Sequence, residues 1–219
     1  MTMYMQWLYS LIFCILMFPV QAIEPADVAQ DTVKTAVDRT VVELAKRRAE
    51  IEADPSSLYP LIQNFVVPIF DFERITRGSM GPFWRKASKE QRIAVVDAFQ
   101  HLLVRTYAQA LLSYPNPQIT YFPVRLSKNG KKMIAPTQVI DNRGQAVPIK
   151  YRLHWHASER WLIYDVVVDG ISLITNYRST FKHLIREGST GIRDRTKRIP
   201  AGIDHLINEL RTQKAQKRS

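Results

Sequence analysis

Apolar and polar residues alternate most regularly between positions 146 and 168. Residues 146–157 alternate strictly, and residues 161–168 are rich in aromatic and β-branched side chains. Both patterns are typical of β-strands. Folding the chain about Ser158 and Glu159 predicts an antiparallel hairpin in which Arg152 lies opposite Asp165. Because a slip of one residue would scatter both faces, the pattern itself fixes the register.

This register places the large apolar side chains of the hairpin on one face. The predicted cross-strand pairs are Tyr151 with Val166, Leu153 with Tyr164, and Trp155 with Leu162. On the other face we expect Val167 to lie at the surface opposite Lys150. An apolar face of this kind either packs in a core or lines a cavity, and the hairpin pattern is compatible with both.

Periods of three to four residues predict helices elsewhere in the chain. Such stripes cover residues 25–53, 58–67 and 88–114, and a shorter helix begins at residues 70–72 and ends by Pro82. Ser88 and Gln91 form a capping box at the start of the third stripe. A turn signal at Asp169 and Gly170 precedes another helical stripe that starts at Ile171.

Two further strands are predicted before the hairpin. They cover residues 119–126 and 133–140, with turns at residues 128–130 and 141–144. Helices therefore come first, an antiparallel meander follows, and helices close the chain. This order predicts an α+β fold in which the helices pack on one face of a curled four-stranded antiparallel sheet.

The N-terminus resembles a targeting segment. Residues 7–20 are nearly all apolar but too short to span a bilayer, and residues 20–22 (Val-Gln-Ala) are a small-residue cleavage site. We therefore expect a signal peptide at residues 1–22 and a single domain at residues 23–219. No Lys or Arg precedes the apolar run, so an uncleaved membrane anchor is the alternative. N-terminal sequencing of protein from the native host would show a start near Ile23 if the segment is cleaved.

Cysteine content and charge restrict the function classes. Cys14 is the only cysteine and lies in the apolar run, so a mature chain would have no disulfide, catalytic thiol or thiolate metal site. The net charge is +11, and residues 1–22 carry no charged side chain. Such a positive charge favours an anionic partner, and export favours a membrane surface or an acidic protein over nucleic acid.

Two sequence blocks resemble the MlaC family of periplasmic phospholipid-binding proteins, also called toluene-tolerance proteins. The first block contributes Tyr164, Asp165, Asp169, Gly170, Ser172, Asn176, Arg178 and Phe181. The second contributes Phe70, Asp71, Phe72, Gly81, Trp84, Arg85, Ser88, Gln91, Arg92, Phe99, Leu103, Thr106, Tyr107 and Ala108. The similarity covers about residues 28–188 and 203–210.

The resemblance implies a cone-like fold, related to nuclear transport factors, with an apolar cavity between sheet and helices. Family members shuttle phospholipid between an inner-membrane ABC transporter complex and an outer-membrane lipoprotein–porin complex. It therefore implies a lipid carrier in the periplasm, with bound phospholipid as cargo and no other cofactor. Some relatives are associated with hopanoid pathways, so the cargo need not be a phospholipid.

A carrier needs a mostly apolar site. Withdrawing an acyl chain from a bilayer costs about 0.8 kcal/mol per CH₂, or about 12 kcal/mol for a chain of about fifteen such groups. Hydrogen bonds, at about 0.5–1.5 kcal/mol each, do not supply that. The predicted lining residues are Ile149, Tyr151, Leu153, Tyr164, Val166 and Val168 from the sheet, and Phe99, Leu103 and Tyr107 from the long helix. The alternative for each is ordinary core packing.

Other candidate sites are weaker. His154 and His156 share a strand face, but no third metal ligand is evident, so no metal site is predicted. Asp165 could act as a base in a cone-fold enzyme, but Arg152 opposite it favours a structural role, so no catalytic residue is predicted. Arg178 either meets a lipid head group or pairs with Asp165 or Asp169. An enzyme acting on an apolar small molecule, and a basic adaptor without a cavity, are the alternatives to a carrier.

The chain departs from the family near its end. A basic insert at residues 189–201 separates two helices that nearly join in the family, and a basic tail follows at residues 211–219. Both are interpreted as solvated segments or as docking patches for anionic head groups or a transporter. We expect them to contribute to docking rather than to folding, because they are charged and lack apolar periodicity.

Overall fold

The α+β prediction is confirmed by a computed structural model, which describes residues 25–112, 118–140 and 143–212. Several predicted features lie outside these ranges: the signal peptide, the start near Ile23, the end of the long helix at residues 113–114, the first half of the 141–144 turn and the tail beyond residue 212. The helices are α1 (Pro25–Lys46), α2 (Arg48–Ala53), α3 (Leu58–Phe65), α4 (Phe72–Met80), α5 (Lys89–Leu112), α6 (Leu173–Glu187) and α7 (Arg195–Thr212).

Local sequence signals explain where the helices begin. Asp71 caps α4 by accepting a hydrogen bond from the backbone N–H of Arg74, and Ser172 caps α6 in the same way through Thr175. Ser88 and Gln91 make both hydrogen bonds of the predicted capping box before α5. The predicted helix at residues 25–53 is interrupted at Arg47, which separates α1 from α2.

The sheet is antiparallel and follows the predicted meander. Its strands are β1 (Ile119–Tyr121), β2 (Arg125–Leu126), β3 (Lys132–Ile140), β4 (Ala146–His156), β5 (Arg160–Val168) and β6 (Ile171–Ser172). Strands β1 and β2 both pair with β3 and form one interrupted edge, which contains Pro123 between them. Strand β6 adds two residues beside β5 after the turn at Asp169 and Gly170, where both residues have positive φ. The predicted four strands are therefore present, with a short additional strand.

Two apolar clusters hold the helices and the sheet. The helical core contains buried side chains of α4, α5, α6 and α7, including Phe99, Phe181, Ile185, Ile203 and Leu206. The sheet cluster packs Val33 of α1 onto the sheet through Met133, Ala135, Leu153, Trp161 and Ile163. Phe70 packs against both clusters and so connects them.

The second half of the basic insert, from Arg195, is helical, which corrects its interpretation as a solvated loop. Helix α7 starts at Arg195, and Ile199, Pro200 and Ala201 are partly buried. The Ser189 hydroxyl shares its one proton between two carbonyl oxygens, that of Ile185 in α6 at 2.6 Å and that of Arg198 at 2.9 Å. The insert backbone is therefore fixed to the fold, although its basic side chains are exposed.

Neutralising the insert is expected to leave stability nearly unchanged. Arg193, Arg195, Lys197 and Arg198 are exposed, and exposed charges contribute little to folding. Replacing all four with glutamine should change the free energy of unfolding by less than about 1 kcal/mol, measured by urea denaturation. A larger loss would mean that these side chains, and not only the backbone, hold the insert in place.

Candidate functional site

The apolar face predicted for the hairpin exists, and we call it the apolar wall. It consists of Ile149, Tyr151 and Leu153 on β4, Trp161, Ile163, Val166 and Val168 on β5, and Met133, Ala135 and Thr137 on β3. The pairs Tyr151–Val166 and Arg152–Asp165 have the predicted register. The wall is thus a continuous surface shared by three neighbouring strands.

Burial changes along the wall on β4 and β5, whereas its β3 residues Met133, Ala135 and Thr137 are buried throughout. Leu153 and Met133, near the Val33 side chain of α1, are 0% and 1% exposed. Farther along the strands, Ile149, Tyr151 and Val166 are only half-buried, and Val168 is 42% exposed. One end of the wall is therefore sealed as core, whereas the other offers apolar surface to a ligand.

A β-bulge in β5 alters the predicted register at the sealed end. The pairing shifts between Arg152 and Leu153, so Leu153 lies opposite Ile163 and Trp155 lies opposite Trp161. The predicted pairs Leu153–Tyr164 and Trp155–Leu162 are therefore wrong. Tyr164 is the extra residue and does not belong to the wall, while Trp161 and Ile163 do.

The open part of the wall carries two polar side chains, the phenol of half-buried Tyr151 and the buried hydroxyl of Thr137. Burial raises the pKa of the Tyr151 phenol, whose hydrogen-bond partner is the Thr137 hydroxyl. Thr137 in turn donates to the Ile149 carbonyl at 3.3 Å. The phenol is therefore neutral and satisfied, so it leaves the wall uncharged.

Helix α1 is tied to the sheet edge beside this open part. Tyr121, the strand partner of Thr137, donates a hydrogen bond from its hydroxyl to Asp38 Oδ1 at 2.9 Å. Burial, and then the bond to the Asp38 carboxylate, raise the pKa of Tyr121. The contact holds the middle of α1 over the edge of the sheet.

The three residues predicted on the long helix do not lie with the wall in one cluster. Phe99 and Leu103 are buried in the helical core, where the Phe99 ring lies 4.8 Å from that of Phe181. Tyr107, two turns after Phe99, is 46% exposed. The structure therefore places Phe99 and Leu103 among the packed helices, and Tyr107 on the surface of α5.

The opposite face of the hairpin is not the solvated surface that was predicted. Asp165 is 1% exposed, and Val167 is 6% exposed rather than lying at the surface with Lys150. Asp165 Oδ2 accepts hydrogen bonds from Arg152 Nη1 at 2.9 Å and from Ser172 Oγ at 2.7 Å. Asp165 Oδ1 accepts the backbone N–H of Ile174 at 3.2 Å. This carboxylate joins β5 to the start of α6, which supports a structural role.

A second polar group on this face fixes the start of α4. His154 is 6% exposed, and its Nε2 lies 2.8 Å from Asp71 Oδ2. Arg74 Nη1 lies 3.2 Å from Nδ1 of the same ring. Because the guanidinium only donates, Nδ1 accepts and the proton of the neutral ring is on Nε2. Burial and the Arg74 charge lower the pKa of His154, against the opposing effect of Asp71.

The stability of the protein is expected to fall on mild acidification because of His154. The folded-state pKa lies below the unfolded value of 6.5, so between them the unfolded chain binds more protons. The contribution of the neutral His154 to stability is therefore fully present above pH 6.5 and declines as the pH falls below that value. His154→Gln, which still donates and accepts, should show a smaller difference in melting temperature between about pH 7.5 and about pH 5. An equal difference in both proteins, or a parent stabilised by acid, would contradict this.

Arg178 makes a structural contact, although not the predicted one. Its Nε donates to the carbonyl of Gly78 at 3.0 Å, at the C-terminal end of α4. Asp165 is engaged by Arg152 and Ser172 instead. The guanidinium therefore satisfies a terminal helix carbonyl, a position favourable for a cation.

The described residues offer no alternative centre for metal chemistry. Within residues 25–112, 118–140 and 143–212, no group of three or more His, Cys, Asp or Glu side chains is placed to hold a metal ion. In the same part of the chain, no helix is both long and apolar enough to cross a membrane.

Comparison with known proteins finds one family model and several relatives that match most of the chain. The family model described as "MlaC protein" matches residues 34–212. The chain is 27% identical to the toluene tolerance protein ttg2D of Pseudomonas putida over 157 residues, which cover 71% of this chain and 72% of that protein. It is 26% identical over 184 residues to the intermembrane phospholipid transport system binding protein MlaC of Haemophilus influenzae, covering 83% of this chain and 79% of that protein.

A solved structure has the same fold. It is a phospholipid-binding protein from Ralstonia solanacearum in complex with a phospholipid, and it matches with a TM-score of 0.71 and 30% sequence identity. The match covers 83% of this chain and 94% of that one.

Proposed function

Because the chain belongs to the MlaC family, we propose that it is a periplasmic lipid carrier that binds phospholipid acyl chains against the open part of the apolar wall. The observation that supports this most strongly is the change in burial along the wall. Ile149, Tyr151 and Val166 are half-buried and Val168 is exposed, beside a sealed end at Leu153. The related protein from Ralstonia solanacearum, which binds a phospholipid, supports the same assignment.

The chemistry of the wall fits this cargo. Its side chains are aliphatic or aromatic, apart from Thr137 and the neutral phenol of Tyr151. Apolar contact is the term that offsets the cost of removing an acyl chain from a bilayer, at about 0.8 kcal/mol per CH₂. The proposed lining keeps exposed Tyr107 of α5 as a contact for the cargo, whereas Phe99 and Leu103 pack in the helical core.

The proposal includes the export that the sequence predicts and the lipid transport between two membranes that the family resemblance implies. The signal peptide at residues 1–22 directs the chain to the periplasm, where it shuttles phospholipid between an inner-membrane ABC transporter complex and an outer-membrane lipoprotein–porin complex. The chain acts as a carrier and not as an enzyme. The name of the Haemophilus influenzae relative, a binding protein of an intermembrane phospholipid transport system, supports this role.

Mass spectrometry of lipid extracted from the purified protein tests the proposal. We expect phospholipid to be recovered in a fixed ratio to protein, or a hopanoid if the cargo differs. A protein that is empty after gentle purification, and that takes up no lipid from vesicles, would contradict a carrier. Turnover of an apolar small molecule by such an empty protein would favour the enzyme alternative.

A further inference from the structure

Two hairpin loops lie side by side at the sealed end of the sheet. One joins β2 to β3 at residues 127–131, and the other joins β4 to β5 at residues 157–159. The backbone N–H of Trp155 donates to the carbonyl of Lys131 at 3.1 Å, and Lys132 pairs with His154. We call these loops and the strand ends beside them the hairpin tip.

The hairpin tip is strongly basic. Its exposed cations are Arg125, Lys128, Lys131, Lys132 and Arg160. Among the described residues, no carboxylate lies within ion-pair distance of any of the five, and Glu159 is the only acid in the two loops. These charges are therefore available to a partner.

Two large apolar side chains are exposed on one face of the hairpin tip, whereas Arg125, Lys132 and Arg160 alternate onto the other face, so the cations lie on both sides of the tip. Trp155 is 44% exposed and Leu126 is 40% exposed. The Trp155 ring packs edge-to-face on buried Trp161, with ring centroids 5.5 Å apart, so it is held on a rigid base. Leu126 pairs with Met133, in the row of the sheet next to Trp155. Tryptophan among lysines is the composition of protein surfaces that bind at the membrane interface.

We propose that the hairpin tip docks on an anionic bilayer surface, with Trp155 and Leu126 entering the head-group region and the five cations facing anionic lipid. This inference concerns how the protein approaches a membrane and goes beyond the binding of a lipid on the apolar wall. The basic insert is the competing surface. There Arg186, Arg193 and Arg198 line an open groove, but residues 189–201 contain no aromatic side chain to anchor at the membrane interface.

Binding to vesicles tests the assignment on the complete purified chain. Vesicles of phosphatidylglycerol mixed with phosphatidylcholine are compared with vesicles of phosphatidylcholine alone, by co-sedimentation at low and high salt. Each basic side chain near an anionic surface strengthens binding roughly fivefold, the equivalent of about 1 kcal/mol. Replacing Lys128, Lys131 and Lys132 with glutamine should therefore weaken binding roughly a hundredfold.

The control variant replaces the same number of basic residues, three, in the basic insert. Replacing Arg193, Arg195 and Lys197 with glutamine should weaken binding less than about threefold, through the long-range charge alone. In the parent, vesicles should shift tryptophan emission to shorter wavelength, and Trp155→Phe should lose that shift. Extracted lipid should be unchanged in the tip variants, which separates docking from cargo binding.

Several outcomes would overturn the proposal. They are a parent that does not bind phosphatidylglycerol vesicles, equal losses in the tip and insert variants, and a loss confined to the insert variant. Binding of the tip to polyglutamate but not to vesicles would assign this surface to an acidic protein instead. Arg125→Gln with Arg160→Gln provides a second tip variant, expected to weaken binding more than tenfold, if the lysine variant is poorly folded.

Discussion

Replacing Gly202 with alanine is expected to lower the free energy of unfolding by about 3 kcal/mol. A Cβ atom at this position in α7 would lie 2.2 Å from the Ile185 carbonyl oxygen and 2.5 Å from Ser189 Oγ. Helices α6 and α7 approach closely here, and Gly188 similarly leaves no room beside His205. Because the obstacle at Gly202 includes backbone, relief requires the two helices to separate and the helical core to loosen.

The difference in helix propensity between glycine and alanine makes this result diagnostic. Alanine favours a helix over glycine by about 1 kcal/mol, so a net loss at Gly202 must come from the steric contact. Gly78→Ala is the matched control, since its Cβ would meet side-chain atoms of Ile174 alone, at 3.0 Å, and no backbone. We expect the control to change stability by less than about 1 kcal/mol in urea denaturation. Similar values for the two variants would contradict the close helix contact.

Replacing Val166 with glutamate is expected to remove at least about nine-tenths of the lipid that copurifies with the protein, because a carboxylate facing an acyl chain lacks water or a partner. Val166 is half-buried on the apolar wall, directly opposite Tyr151. In the protein without lipid, water reaches the new carboxylate at this open part of the wall, so the variant should fold more readily than one altered at the sealed end. The measurements are bound lipid by mass spectrometry and melting temperature.

A control for Val166→Glu must lie on the other face of the sheet. Val167 was the natural choice from the sequence, but it is 6% exposed, so Val167→Glu is expected to destabilise the fold itself. Gln138→Glu is better suited, because it adds the same charge with little change in shape. Gln138 pairs with Pro148 and alternates with the wall residue Thr137. Equal loss of lipid in the two variants would contradict the assignment of the wall as the binding surface.

Most of the fold was predictable from local signals. Capping residues at Ser88 and Ser172, the turn at Asp169 and Gly170, and the alternation in β4 each determined an element boundary or a register. The face of β4 was predictable because its apolar and polar residues alternate without interruption. The position of α7 was not, since a basic and apolar-poor segment at residues 195–198 becomes helical only through packing beside α6.

The site was predictable on β4 and only in part on β5. Residues 161–164 (Trp-Leu-Ile-Tyr) are apolar at every position, so either register gives an apolar face and the pattern carries no sign of the bulge. Burial of Asp165 and Val167 also lacked a local signal, because it results from α4 and α6 packing along β5. Phe99 and Leu103 pack in the helical core and not with the wall, and this placement also results from tertiary packing that has no local sequence signal.

The bulge at Tyr164 has a consequence for how β5 tolerates insertion and deletion. Side chains alternate between the two faces of a strand, and the extra residue Tyr164 interrupts this alternation between residues 160–163 and residues 165–168. Deleting Tyr164 would remove the unpaired residue and leave a regular ladder, in which residues 165–168 and 160–163 keep their present partners on β4. Trp161 and Ile163 would stay in the apolar cluster, and the loss would be limited to the contacts of the Tyr164 ring with His154 and Arg74, so we infer that β5 tolerates the loss of one residue at this point.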